Sequence, residues 1–447
     1  MPNLMHIGFS LIVTRRIAAL AAPMMLSRAG LLIMVAIDTA MIGHAGIEPL
    51  AHFGLANAIH IPTLVVMIGL LTSVVILSSQ AIGAGRPGET ARIWLVGGGV
   101  ALISGTAAGL ALWFGRPILI LLGQSDDLAT GAAAVMQAFA PGMPAIGLYI
   151  ACVFLLESLG KPRVGLVIVI LGNLVNFAGN LVLMDILSPA IGASVGMTVA
   201  RWAMALMAFL YVFRLTRTDA LAIRGTAAEY RSVFVRILRK GTPVAVAQYL
   251  ETASFNGTVI FAGWISANAV ATMQISFNVL ALVFMLSLGI GTAAAVEVGR
   301  ATGAGDLAAV RRSGWTALSL NIAIMTILMP VLYFNAGAIA GLYTDDPGLI
   351  PLATTAVAIT ALVLVADGGQ AVITGALRGF GDVMFGTGAY LIAFGVCALP
   401  LAWWLGVHQG LGTPGLLYGI IAGLVLLMIM LIIRFHLITR ERPAVPS

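Results

Sequence analysis

Charge is scarce in this sequence. Lys and Arg number 23 and Asp and Glu 17 among 447 residues, so 9% are charged; an ordinary soluble domain carries about 25%. Hydrophobic residues make up 60%, and the mean hydropathy is +1.05. A folded soluble protein of this size needs a hydrated, charged surface, so the composition excludes a soluble enzyme. It also excludes a disordered chain, which would be poor in apolar residues. Cysteine is nearly absent. Cys152 and Cys397 both lie in apolar runs and read as small core residues, not as a disulfide or a metal pair. There is no glycine-rich phosphate loop with a lysine, no paired Cys or His for zinc and no GxSxG. ATP hydrolysis and covalent catalysis are therefore not expected; the chain reads as a non-enzyme without a resident cofactor. Alternating strands of about ten residues are missing as well, which argues against a membrane barrel. Residues 1–16 end in Arg15-Arg16 and show no small-residue cleavage site after an apolar run, so no cleaved signal peptide is expected.

Long apolar runs are what the sequence has. The hydrocarbon core is about 30 Å thick, so a spanning helix needs roughly 20 apolar residues. Twelve such segments lie near 17–42, 52–82, 93–114, 128–152, 164–187, 191–213, 242–265, 270–298, 314–334, 350–375, 384–406 and 414–435. Turn-forming stretches such as Gly83-Ala84-Gly85-Arg86-Pro87-Gly88 and Gly160-Lys161-Pro162-Arg163 separate them. The fold class expected is an all-α integral membrane protein with twelve transmembrane helices.

The net charge of +6 and pI near 9.7 come from position, not from a nucleic-acid surface. Alternate connections hold Arg15, Arg16, Arg86, Arg92, Lys161, Arg163, a central run from Arg214 to Lys240, then Arg300, Arg311, Arg312, Arg378, Arg434, Arg440 and Arg442. Together these are 20 of the 23 basic residues, whereas the opposite connections hold Arg116 alone. The bias places both termini and the central loop in the cytoplasm of a plasma (inner) membrane protein. Nucleic acid is not needed as a partner.

The two halves echo each other at an offset near 220. Pro23 pairs with Pro243, Gly83-Ala84-Gly85 with Gly303-Ala304-Gly305, Arg92 with Arg312 and Asp126-Asp127 with Asp345-Asp346; Leu156 and Gly160 pair with Leu377 and Gly381. Six helices separate the copies, so the repeats are parallel, and a substrate site is expected between them near the midplane. The domains expected are an N-lobe over 1–213, a cytoplasmic linker loop over 214–241 and a C-lobe over 242–447.

Ionisable groups inside a bilayer cost several kcal/mol and are functional candidates by default. Three acids are ones that the spans cannot avoid: Asp38, Glu251 and Asp367. At the repeat offset they face Thr258, Leu31 and Gly147, so duplication does not account for them. The bland alternatives are a helix-interface carboxylate for Asp38 and a structural salt bridge from Glu251 to Arg28 or Arg201. Asp367 heads a stripe with Gln370, Thr374 and Arg378, whose long side chain is expected to snorkel to the cytoplasmic surface. Asn173, Asn176 and Asn180 form another stripe, which serves either as helix glue or as an oxygen-rich lining for a cation. Ser194, Thr198 and Arg201 share a face, and Gln274 and Asn278 lie one turn apart facing a partner or a cavity. Asp126-Asp127 and Asp345-Asp346 read as helix starts, and His60, with His44 and His52 before it, as core packing.

In order and spacing these residues resemble the multidrug and toxic compound extrusion (MATE) transporters, in particular their NorM-like bacterial branch. The resemblance covers nearly the whole chain. It is carried by Ala22-Pro23 with Asp38-Thr39-Ala40-Met41-Ile42-Gly43, by Gly241-Thr242-Pro243 with Glu251, Gln274 and Asn278, and by Asp367 with Gly375-Ala376-Leu377-Arg378-Gly379-Phe380-Gly381-Asp382. It implies two six-helix lobes forming a V-shaped central cavity, and export of organic cations and drugs in exchange for protons or sodium ions. It assigns Asp38, Asn176 and Asn180 to a cation site in the N-lobe and Glu251 and Asp367 to one in the C-lobe, with Gln274 and Asn278 as further cation- or substrate-binding residues. Sodium is then a candidate ion at Glu251, Asp367 or Asp38. Val363 stands where sodium-coupled members often carry tyrosine, and Asn180 where some relatives carry aspartate, so the coupling ion stays open. Membrane lipid is the other partner expected, and the protein is expected to be a monomer. The alternatives are a flippase for lipid-linked saccharides, which would need a cationic cavity, and a membrane-embedded prenyl transferase, which would need clustered metal-binding acids.

Overall fold

Apolar runs without alternation leave the backbone one way to satisfy its own N–H and C=O groups in lipid, and that is the helix. In the computed structural model, which describes residues 11–218 and 225–440, helix is the only regular element among the described residues. The first half holds α1 (Leu11–Ala45), α2 (Ile47–Gly83), α3 (Glu89–Trp113), α4 (Gly115–Leu121), α5 (Asp126–Phe139), α6 (Gly142–Ser158), α7 (Pro162–Ile186) and α8 (Pro189–Thr218). The second holds α9 (Ala227–Ile265), α10 (Ala267–Gly303), α11 (Leu307–Phe334), α12 (Ala336–Gly341), α13 (Leu349–Phe380) and α14 (Val383–Tyr390). From α14 the chain runs through π-helical Leu391–Ala398, α15 (Leu399–Trp403) and π-helical Trp404–His408 to α16 (Gly412–Thr439). Arg224 and Arg442 of the basic set, and the segment ahead of residue 11 that bears on a signal peptide, lie outside the described residues.

All twelve expected segments fall on helix. Among the described residues ten helices are long and apolar enough to cross a membrane, and α5 with α6, bent by 44° at their break, makes an eleventh. The remaining segment is the second half of α9, where Gln248, Glu251, Thr252 and Ser254 interrupt the apolar run. Helix α7 shows the environment most clearly. Its buried residues include Gly165, Gly172, Asn176 and Asn180, while Ile170, Leu171, Leu174, Phe177, Leu181 and Val182 are exposed. A helix that turns amides inward and aliphatics outward is the inverse of a soluble one and suits lipid.

The chain divides into two compact units. The N-unit is Leu26–Ala245; the C-unit is Met1–Met25 with Val246–Ser447. This differs from the boundaries read from the sequence. The limits fall inside α1 and α9, two residues after Pro23 and Pro243, and not in a loop over 214–241. Most of that stretch is helix: α8 runs to Thr218 and α9 begins at Ala227. Thr226 and Glu229 cap α9 reciprocally, with the Thr226 N–H donating to Glu229 Oε2 at 2.7 Å. The box Thr226-Ala227-Ala228-Glu229 was present in the sequence; the density of basic residues hid it.

The internal duplication is visible in the turns. After α2 the N–H groups of Ala84, Gly85 and Arg86 donate to the carbonyls of Gln80, Ile82 and Ala81. After α10, Ala304, Gly305 and Asp306 make the same bonds to Arg300, Thr302 and Ala301. Gly85 and Gly305 adopt φ of 70° and 72°, a left-handed conformation that suits glycine. Gly160 and Gly381, with φ of 77° and 101°, close α6 and α13 in matching fashion. These last two are 221 apart, so within this helix pair Asp367 aligns with Ile146, and Gly147 with Gly368. The copies differ in continuity: α5 and α6 are broken before Pro141, whereas α13 is continuous, and α7 is one α-helix, whereas its counterpart from Val383 to His408 is interrupted by two π-helical stretches.

In the C-unit, α10 and α13 touch backbone to backbone. A methyl group on Gly375 would run into the carbonyl oxygen of Gly291, and one on Gly379 into that of Ala295. Gly375→Ala should therefore destabilise the C-unit by about 3 kcal/mol, because backbone cannot yield as a side chain does. A thermal unfolding curve in detergent checks this; an unchanged midpoint would refute the close packing.

Candidate cation-binding site

In the N-unit, α7 brings two amides beside the carboxylate of α1. Asn180 Nδ2 donates to Asp38 Oδ1 at 2.6 Å. Asn176 lies one turn earlier on the same face, and Asp38, Asn176 and Asn180 are all 0% exposed. Asp38 Oδ2, Asn176 Oδ1 and Asn180 Oδ1 have no hydrogen-bonding partner in the protein. One carboxylate oxygen and two amide oxygens, buried and unpartnered, are a donor set for a small cation, since hard cations take oxygen ligands. Asn173, the third member of the stripe, is helix glue: its Nδ2 donates to the carbonyls of Gly30 and Val169.

A buried cation lies near this group. Arg201 on α8 donates through Nη2 to His60 Nε2 at 3.1 Å, and His60 Nδ1 faces Asn57 Oδ1 at 3.2 Å. With Arg201 as donor, the imidazole must accept at Nε2 and donate from Nδ1, which is the neutral tautomer. The ring stacks on Phe139 at 4.6 Å. Thr198 and Ser194, on the same helix, donate to backbone carbonyls instead.

In the C-unit a hydrogen-bond relay converges on an acid. Gln370 Nε2 on α13 donates to Glu251 Oε1 on α9 at 3.0 Å. Tyr390 OH on α14 donates to Gln370 Oε1 at 2.7 Å, and Thr374 Oγ1 lies 3.5 Å from the same phenol. The phenol thus fixes which way the amide points. Asp367, 3% exposed, sits one turn before Gln370 on α13. Arg378 is partly buried and acts on Glu251 and Tyr390 through space. Gln274 and Asn278 are not drawn into this group. Both are exposed on α10, and Asn278 Nδ2 donates to the Gln274 carbonyl of its own helix.

The buried and half-buried acids sort into two classes. Glu89, Glu157 and Glu297 are ion-paired: Glu89 with Arg86 and Arg236, Glu157 with Arg28, and Glu297 with Arg16 and Arg300. Asp38, Glu251 and Asp367 form no ion pair among the described residues. Arg28 and Arg201, the partners considered for Glu251, are held within the N-unit, Arg28 by Glu157 at 3.3 Å and Arg201 by His60. The Asp pairs behave as helix starts. Asp126 opens α5, and Asp346 Oδ1 accepts from the Gly348 N–H at 2.8 Å ahead of α13. Glu157 and Tyr390 escaped the sequence reading, the first because it sits just past an apolar run, the second because a phenol in an apolar run looks like packing.

The MatE family profile matches residues 23–182 and 243–404, two stretches whose starts are 220 residues apart. The chain is a member of the MatE family. Among its relatives, a probable multidrug resistance protein NorM of Caulobacter vibrioides is 33% identical over 440 residues, covering 95% of this chain and 92% of the relative. The multidrug resistance protein NorM of Burkholderia vietnamiensis is 31% identical over 446 residues, 96% and 95% of the two chains. In fold, the chain is similar to the crystal structure of the eukaryotic MATE transporter AtDTX14, with a TM-score of 0.88 over 95% of both chains at 18% identity. This MatE chain is a multi-pass membrane protein, and its two profile matches are the duplication seen in the turns.

Proposed function

We propose that this MatE protein is a secondary active transporter that exports organic cations and drugs across the plasma membrane, as a monomer with cytoplasmic termini, in exchange for protons or sodium ions. The observation that carries the reading is the class of acids that form no ion pair among the described residues: Asp38 and Asp367, buried, and Glu251, half-buried. A carboxylate held dry without a partner is costly, and a cation that reaches it is bound strongly. The names of the NorM relatives support drugs as the cargo.

Glu251 and Asp367 accept either the coupling ion or the organic cation, and competition between the two couples their fluxes. Linkage makes the competition reciprocal: whatever weakens drug binding when the ion is bound weakens ion binding when drug is bound. Gln370 and Tyr390 hold the Glu251 carboxylate in place for both. Asp38 with Asn176 and Asn180 supplies a second cation site. Exchange of one proton for one monovalent cation moves no net charge, so one pH unit supports about tenfold concentration of drug. Two protons per drug, with a potential of 100 mV, supply about 5 kcal/mol, enough for several thousandfold. The flippase alternative is disfavoured because Arg28 and Arg201 are already engaged, the first by a carboxylate, leaving no free cationic pair for a pyrophosphate.

Ethidium efflux from proteoliposomes, driven first by a proton gradient and then by a sodium gradient, tests the proposal. Uptake or release that follows one gradient is the expected result and names the ion. No response to either, with transbilayer movement of labelled lipid-linked sugar instead, would replace antiport by the flippase reading.

A further inference from the structure

Asp367 is followed on α13 by Gly368, whose missing side chain is filled from two neighbouring helices. A Cβ built on Gly368 would fall 2.5 Å from Ser287 Oγ on α10 and 2.6 Å from Asn321 Nδ2 on α11. Both polar side chains therefore press on bare backbone one residue from the acid. Both are 0% exposed. Ser287 Oγ, Asn321 Oδ1 and Asn321 Nδ2 have no hydrogen-bonding partner in the protein. An amide and a hydroxyl buried without partners cost about 1–3 kcal/mol for each group left unsatisfied, so packing does not explain their presence.

The duplication supplies an internal control. In the N-unit, Gly147 stands where Gly368 stands, and its neighbours at the offset of 220 are Met67 and Ala101 in place of Ser287 and Asn321. Met67 Sδ and the Ala101 carbonyl each lie 3.0 Å from a Cβ built on Gly147. The same backbone arrangement thus closes with apolar side chains where no acid adjoins it: Asp367 aligns with Ile146, and Gln370 with Tyr149. Polarity at the two neighbours goes with the acid.

We infer that Ser287 and Asn321 are specificity-determining residues of the coupling-ion site, forming a neutral, oxygen-bearing wall beside Asp367 that takes a monovalent cation or the water it carries. The inference rests on the antiport reading. Ser287 Oγ and Asn321 Oδ1 offer oxygens to the cation, and Asn321 Nδ2 offers a donor to a carboxylate oxygen. The other titratable groups that act on Asp367 are Glu251 from α9 and Tyr390 from α14; Arg378 lies three turns further along α13 and acts on Glu251 and Tyr390. The organic cation lacks a hydration shell of comparable demand and has less use for these oxygens.

The test is the double variant Ser287→Met with Asn321→Ala, which gives the C-unit side chains that the N-unit already accommodates in this arrangement. Ser287→Ala with Asn321→Ala accompanies it in case the larger residue does not fold. Ethidium efflux is measured in proteoliposomes across a range of proton and sodium concentrations, together with the thermal midpoint in detergent. The ion concentration for half-maximal efflux should rise about tenfold, the loss expected for one hydrogen bond to a charged group, while the rate at saturating ion falls by a smaller factor and the midpoint holds. A lowered midpoint with unchanged ion dependence would make the pair structural and overturn the inference alone. A wild-type protein that ignores both gradients would overturn the antiport reading and this inference with it.

Discussion

Asp367→Asn reduces gradient-driven efflux of ethidium to the level of protein-free vesicles while the protein still folds and inserts. The substitution keeps shape and volume but removes the charge that a proton or sodium ion must neutralise. Nothing among the described residues of the C-unit replaces it. Glu251 keeps its bond from Gln370, but a single carboxylate with Arg378 nearby leaves the group without net negative charge. Folding does not depend on the charge, since Asp367 forms no ion pair among the described residues and sits in a helix whose packing is made by Gly375, Gly379 and their apolar neighbours. Efflux and yield measured side by side check the result. Efflux at the wild-type rate would remove Asp367 from the mechanism.

The second large effect is on stability. Glu157→Ala leaves Arg28 without its partner, with the side chain 11% exposed and the guanidinium packed 5.0 Å over the Phe154 ring. Breaking a buried pair from one side costs about 3–5 kcal/mol, because the remaining charge is buried alone. The thermal midpoint should fall by roughly 6–20 °C on the scale of a unit of about 200 residues. The double variant Arg28→Met with Glu157→Leu should recover most of the loss, as apolar residues of similar volume replace a buried pair at little cost. Thermal unfolding of the three proteins in detergent decides. A single variant as stable as the wild type would show that the pair does not hold the N-unit together.

Span placement was legible because apolar length alone determines it, and so were the unpaired acids, because charge within an apolar run stands out. The repeat was legible from glycines whose left-handed turns recur at matching positions, Gly85 with Gly305 and Gly160 with Gly381. The rest depends on which helix faces which. The periodicity of α13 puts Gln370 on a face but cannot say that Tyr390 from α14 and Glu251 from α9 meet there. Arg28 was visible as a charge within a span, yet its partner lies 129 residues away just past an apolar run, so the pairing is a tertiary fact. Ser287 and Asn321 carry no charge and stand out only when laid on their apolar counterparts in the other unit.

The measurement that tests the central claim most directly is equilibrium binding of ethidium to the purified protein by fluorescence polarisation, titrated with protons and separately with sodium. Competition at the unpaired acids predicts that one cation releases bound ethidium in the wild type and has no effect in Asp367→Asn. Ethidium that stays bound across both titrations in the wild type would contradict it.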